Sequence, residues 1–254
     1  MVAYLSDDQV KHLSATYPEI RDPGCVTCRG TRSYRWKGEE HPCDCVQQRE
    51  LHTQYCLAGI GLRYQRLTWD DLEVPLPDAV SEWIAHRDSY VASGTGLLLT
   101  GTNGSGKTML ATLLLKELVR DGLDCYATTF ASTIDALIAS WHSDQERRDF
   151  AERFMRSRVL LLDDVGKGIS NSFRDRVTPE TLDHILRTRV QNERPTLLTT
   201  NLSVEEIRHG YGTSVFSLLV EQSIPVVLNS PDFRAESLQR RRREATVGET
   251  RPLS

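Results

Sequence analysis

The segment Gly101-Thr-Asn-Gly-Ser-Gly-Lys107-Thr108 constrains this chain more than any other part of its sequence. It is a full G-x-x-x-x-G-K-[ST] phosphate loop, and such a loop works only between a buried strand and the first turn of a helix. Both flanks comply. Leu97-Leu98-Leu99-Thr100 is an apolar run of strand length, and Leu110, Leu113, Leu114, Leu118 and Val119 repeat at helical spacing as far as Asp121-Gly122. Glycines let consecutive backbone N–H groups turn toward one anion, and the start of the following helix adds partial positive charge. Gly101, Thr102, Asn103, Gly104, Ser105 and Gly106 are therefore expected to cradle the phosphates of a nucleoside triphosphate. Lys107 is expected to bridge the β- and γ-phosphates, and the Thr108 hydroxyl to sit on Mg²⁺.

A second strand pattern, Val159-Leu-Leu-Leu162, ends in Asp163-Asp164. Asp163 is placed to hold Mg²⁺ directly or through water, and Asp164 to polarise a hydrolytic water with a carboxylate one methylene shorter than glutamate. A third, Thr196 to Thr200, ends in Asn201, whose amide can reach a γ-phosphate or the attacking water. Asp124 to Phe130 and Pro225 to Leu228 bring the strands to five, alternating with helical segments. That alternation predicts an α/β fold, a five-stranded parallel sheet with crossover helices and the nucleotide at the carboxyl ends of the strands. A P-loop kinase would need a substrate lid with clustered arginines, and the Asn201 strand end argues against one.

The N-terminal part reads differently. Four of six cysteines, Cys25, Cys28, Cys43 and Cys45, fall within 21 positions. Cys25-Val-Thr-Cys28 has knuckle spacing, with Pro23-Gly24 and Gly30 supplying turns. Ser33 to Trp36 reads as a short strand and Lys37-Gly38-Glu39 as its turn, the outline of a zinc ribbon. Four clustered thiolates would staple a segment too small to fold by its own core, so a structural Zn²⁺ site is expected. His41 is an alternative ligand to the unusual C-x-C half, and reduced structural thiols are the other reading.

Val46 to Ile60 is helix-compatible and ends at Gly59 and Gly61; Pro75 and Pro77 break the chain before an amphipathic stretch from Asp78 to Ala92. Ser132 begins a helix with Ile134, Leu137, Ile138 and Trp141, and Asp144 to Arg158 carries five arginines. Trp141, Phe150 and Phe154 fit either base stacking or a core, and the arginines either a nucleic-acid groove or a solvated face. The net charge of −4 gives no bulk attraction to nucleic acid, so any binding must be local. No apolar run reaches membrane-spanning length and the first residues lack a basic-then-apolar leader, so no membrane contact and a cytoplasmic location are expected.

The phosphate loop, Leu161-Leu-Asp163-Asp164-Val-Gly-Lys167 and Leu198-Thr-Thr-Asn201-Leu-Ser resemble the AAA+ ATPases of the DnaC/DnaI and IstB group. Phe173-Arg-Asp-Arg, Leu186 to Pro195, the cysteine cluster, Gly59 to Tyr64 and Thr68 to Asp71 are particularly similar to bacterial replicative helicase loaders, phage-encoded ones included. The resemblance implies ATP as the nucleotide and residues 1–60 as a helicase-binding unit holding Zn²⁺. It implies residues 61–239 as the ATPase, and 240–254, with Arg240 to Arg243, as a disordered basic tail. The implied partners are the hexameric replicative helicase, single-stranded DNA, and further copies of the chain in an ATP-dependent ring or spiral. An IstB-type ATPase that coats duplex DNA in transposition is the alternative. Arg234 in Ser230-Pro-Asp-Phe-Arg matches a sensor 2 arginine that contacts phosphates. One departure stands out: where the family reads G-x-R and then S/D-R-L/M, this chain has Gly212-Thr-Ser214 and Ser217-Leu218-Leu219. A trans arginine supplies on the order of 10³–10⁵ in rate in related systems, so weak hydrolysis is expected unless Arg208 substitutes.

Overall fold

The computed structural model describes residues 28, 31–72, 74–166, 173–233, 238, 239 and 242, with the side chains of residues 34 and 173–177 left aside. The chain opens with a hairpin, β1 (Ser33–Trp36) and β2 (Glu39–Pro42), paired antiparallel with Trp36 opposite Glu39. Its two-residue loop, Lys37-Gly38, has positive φ at both positions (51° and 85°), the geometry whose twist suits a tight hairpin. Helix α1 (Asp44–Leu57) follows at once, with Cys43 as its N-cap. A one-turn helix α2 (Leu62–Gln65), a 3-10 turn (Trp69–Asp71), α3 (Asp78–Ala85) and α4 (Arg87–Ala92) lead into the sheet. The expected single stretch from Asp78 to Ala92 is thus two helices, broken at His86 (φ −115°, ψ 24°).

The sheet contains β3 (Gly96–Gly101), β4 (Cys125–Thr129), β5 (Val159–Asp163), β6 (Thr196–Thr200) and β7 (Ser223–Leu228). All pairs are parallel, in the order β4-β5-β6-β3-β7. Helices α5 (Lys107–Arg120), α6 (Phe130–Ser140), α7 (Asp144–Phe150), α8 (Phe173–Gln191) and α9 (Val204–Gln222) make the crossovers, with a π-helical turn at Ala151–Arg156. Strands covered on both faces can be apolar at every position. Leu97, Leu99, Val159, Leu161 and Leu197 enter one core with Trp83 and with Leu110, Leu114, Leu115 and Leu118 of α5; Leu98, Leu160, Leu162 and Leu198 enter the other, with residues of α6, α8 and α9.

The chain ahead of the sheet is fastened to it. Tyr55, Ala58 and Ile60 share the core of α5, and the Ala127 N–H of edge strand β4 donates to the Ala58 carbonyl at 2.7 Å. Gly59 has φ 71°, and a Cβ there would run into the Ala127 carbonyl. On the other face Arg189 is fully buried, its guanidinium donating to the carbonyls of Phe154, Ser157, Arg158 and Pro195 and to Thr196 Oγ1 at 2.8–3.3 Å. It joins the end of α8 to the π-helical turn and the start of β6.

Candidate functional site

The phosphate loop leaves β3 and enters α5 as its motif requires. Gly101, Gly104 and Gly106 have φ of 146°, 78° and 90°, conformations that L side chains rarely adopt. A Cβ at Gly104 would also collide with the Asp232 carboxylate, and the Phe233 N–H donates to the Gly104 carbonyl at 3.2 Å. The segment after β7 therefore lies directly on the loop. Lys107 is buried, its ammonium donating to the carbonyls of Gly101 (2.9 Å) and Thr102 (2.7 Å).

The three strand ends converge beside it. Asp163 Oδ1 accepts from Thr108 Oγ1 at 2.8 Å and from Thr199 Oγ1 at 2.6 Å. Thr199 is buried on β6, and the same hydroxyl accepts the Asp164 N–H at 2.9 Å while its carbonyl accepts the Val165 N–H at 2.9 Å. Asp164 is held at φ 56°, a left-handed conformation costly for a residue with a Cβ, and its carboxylate is exposed. Asn201 Nδ2 donates to Asp164 Oδ1 at 3.3 Å. Tyr211 of α9 donates its hydroxyl to the Gly166 carbonyl, and burial with the nearby Asp164 charge pushes its phenol up to about 12.

A cavity of about 330 Å³ is lined by residues 103–109, Asp163, Asp164, Thr199 and Asn201, together with Arg63, Tyr64, Leu67, Asp71, Leu72 and Val74. Lys107, Thr108, Asp163, Asp164 and Asn201 thus share one space, with an apolar and aromatic wall that spacing alone did not reveal. Thr199 was also missed: a threonine in a Thr-Leu-Leu-Thr-Thr strand looks like a β-former and nothing more. Arg234 lies outside the described residues.

The two positions where an arginine was absent are now explicable as local structure. Leu218 is buried in the core, and Ser214 is hydrogen-bonded to Asp183 (2.5 Å) and Arg187 (2.8 Å) on α8. Arg208 is exposed. Gly212, at φ 84° and ψ 169°, kinks α9 just before Ser214.

In the hairpin unit the Sγ atoms of Cys28, Cys43 and Cys45 lie within 4.8 Å of one another, with Cys28 and Cys45 at 3.5 Å. Thiolates about 2.3 Å from a tetrahedral Zn²⁺ would be roughly 3.8 Å apart, so the donor type and spacing fit that ion. Cys43 caps α1 and Cys45 lies in its first turn, which is how a C-x-C pair converges. Cys25 lies outside the described residues. His41 is not in this cluster among the described residues; its ring packs edge-on to Trp36. In the α6–α7 region, Phe150 and Phe154 stack on each other in the core, whereas Trp141 is 48% exposed. Arg147 pairs with Asp144 and Arg156 with Glu152, both on the surface. No helix among the described residues is long and apolar enough to cross a membrane.

Residues 80–220, more than half the chain, match the family model of the IstB-like ATP binding protein. The chain is 25% identical over 167 residues to the uncharacterized protein YdaV of Escherichia coli (strain K12), covering 64% of this chain and 66% of that one. It is 26% identical over 121 residues to the replicative helicase loader DnaI of Bacillus subtilis (strain 168), covering 46% of this chain but only 37% of the relative. A crystal structure of the DnaC helicase loader matches with a TM-score of 0.53 and 23% identity, covering 66% of this chain and all of that one, a likeness of fold. The chain belongs to the IstB-like ATP-binding protein family.

Proposed function

We propose that this chain is an ATP-dependent replication protein that binds the replicative DNA helicase and loads it onto single-stranded DNA, with nucleotide acting as the switch. The observation that carries the nucleotide part is the convergence of the phosphate loop, Thr108, Asp163, Asp164 and Asn201 on one cavity. The loader part is supported by the likeness to DnaI and to the DnaC structure.

In this reading the amides of residues 101–106 cradle the phosphates, and Lys107 exchanges its loop carbonyls for phosphate oxygens. Thr108 and Asp163 hold Mg²⁺, which when bound neutralises charge on the phosphates. Asp164, oriented by Asn201 and the Thr199 hydroxyl, would polarise water for attack; Tyr64, Leu67 and Leu72 would receive the base; and Arg234, on the family resemblance alone, would contact the phosphates. Hydrolysis by the isolated chain is slow, because Ser214 and Leu218 stand where a trans arginine would. Brisk turnover that disappears in Arg208→Ala would transfer that role to Arg208.

Cys25, Cys28, Cys43 and Cys45 hold a structural Zn²⁺ in a unit spanning residues 1–60, which grips the helicase. Residues 61–239 form the ATPase and 240–254 a basic tail. Self-association in a ring or spiral and single-stranded DNA at the α6–α7 region, where Trp141 is exposed, complete the assignment. The protein works in the cytoplasm beside its DNA. The test is capture of the host's purified replicative helicase with and without ATP. Failure of capture together with firm duplex binding would move the chain to transposition.

A further inference from the structure

The cavity wall formed by residues 63–72 belongs to no sheet. It consists of the four-residue α2, the 3-10 turn and the links between them, and a single helical turn does not hold itself in water. The buried Gln65 ties it to the Ile60 carbonyl (2.9 Å) and to His52, and side chains of α5 tie it to the helix that carries the phosphate loop. Lys116 is 2% exposed, and its ammonium donates to the carbonyls of Tyr64 (3.2 Å), Gln65 (3.0 Å) and Leu67 (2.5 Å), matching the three N–H bonds of an ammonium. The adjacent Glu117 accepts the Trp69 indole N–H at 3.2 Å. Two of the three carbonyls belong to Tyr64 and Leu67, which line the cavity. The phosphate loop runs into the first turn of the same α5, nine residues before Lys116, or about 14 Å along a rigid helix.

Burying an ammonium is costly, and burial pulls this one down to about 8. A methionine would fill similar space beside the Tyr55 ring without that cost, so the charge is retained for what it binds rather than for packing. We infer that Lys116 is a positioning residue: without touching nucleotide, it fixes the base-side wall at a set distance from the phosphate loop. The inference rests on the nucleotide reading above.

The experiment compares ATP with inorganic tripolyphosphate, which lacks the base, by calorimetry on the full chain and on Lys116→Met at fixed Mg²⁺. Three carbonyls left without their donor should weaken ATP by about ten-fold while tripolyphosphate stays within about two-fold. Unchanged ATP affinity overturns the inference, and so does an equal loss for both ligands, which would mark general damage. If Lys116→Met does not fold, Lys116→Gln, which keeps N–H donors but no charge, is read by the same criteria. Tripolyphosphate binding without any gain from ATP in the unaltered chain would instead remove the base-side reading, and this inference with it.

Discussion

Thr199→Val is the sharpest probe of the strand-end geometry. Valine keeps the shape and the methyl group and removes only a hydroxyl. That hydroxyl donates to Asp163 at 2.6 Å, beside the Thr108 hydroxyl, and accepts the Asp164 amide at 2.9 Å. A hydrogen bond to a carboxylate contributes about 1.5–3 kcal/mol and an orphaned buried amide costs about 1–3 kcal/mol, and the two share one side chain and do not add. The expected loss is about 1.5–3 kcal/mol, roughly a 10- to 150-fold change, and it should fall on metal-dependent steps because Asp163 is the group affected. The assay is nucleotide affinity with and without Mg²⁺, followed by the Mg²⁺ dependence of hydrolysis. ATP affinity in chelator should stay within about two-fold of the unaltered chain, while the gain from Mg²⁺ shrinks. Thr199→Ser, which restores the hydroxyl, should restore the metal dependence. Normal Mg²⁺ dependence in Thr199→Val, or a serine variant as impaired as the valine one, would refute the assignment.

Cys43→Ser should lower bound zinc, measured by atomic absorption, from one ion per chain toward none, and strong chelators should lower the melting temperature of the unaltered chain but not of this variant. Arg189→Leu leaves four carbonyls and a hydroxyl without their buried donor, so a loss of about 3–5 kcal/mol and roughly 10 °C in melting temperature is expected. Asp183 is held below the usual aspartate range by its hydrogen bonds to Arg187 and Ser214. Its contribution is present above the ordinary aspartate value and lost as pH falls through the depressed one, so Asp183→Asn should flatten the acid limb of a melting curve taken from pH 5 to 2.5.

How much of this was legible in the sequence depended on whether a signal was local. The phosphate loop and the five apolar strands are local patterns, and the sheet follows them closely. The β1–β2 turn was visible in Lys37-Gly38, because few residue pairs accept two positive φ values. Helix α1 begins at Asp44 rather than Val46; Cys43 takes the extended N-cap position without a capping side-chain hydrogen bond, so the start carries none of the usual capping signal. Thr199, Lys116 and Arg189 act across the fold, and their targets are backbone carbonyls or a carboxylate on other elements. Lys116 carried no signal of its role: Thr112, Lys116 and Arg120 recur at four-residue spacing beside Glu117, the pattern of an ordinary polar stripe on a helix.

The missing arginines gain meaning from the packing around them. Had the chain merely lost a cation at an exposed position, a single substitution would restore it. Leu218 instead fills the core beneath α9, and an arginine there would bury an unpaired charge. Ser214 is different: its hydroxyl bridges Asp183 and Arg187 on α8, and Arg187 already stands exposed within that network. A cation placed at Ser214 would meet Arg187 at close range and compete with it for Asp183. On the proposed function, fast turnover is therefore opposed at one position by the core and at the other by an existing ion pair. A chain built this way suits nucleotide occupancy as the signal, with acceleration of hydrolysis left to the exposed Arg208 or to a group supplied from outside the chain.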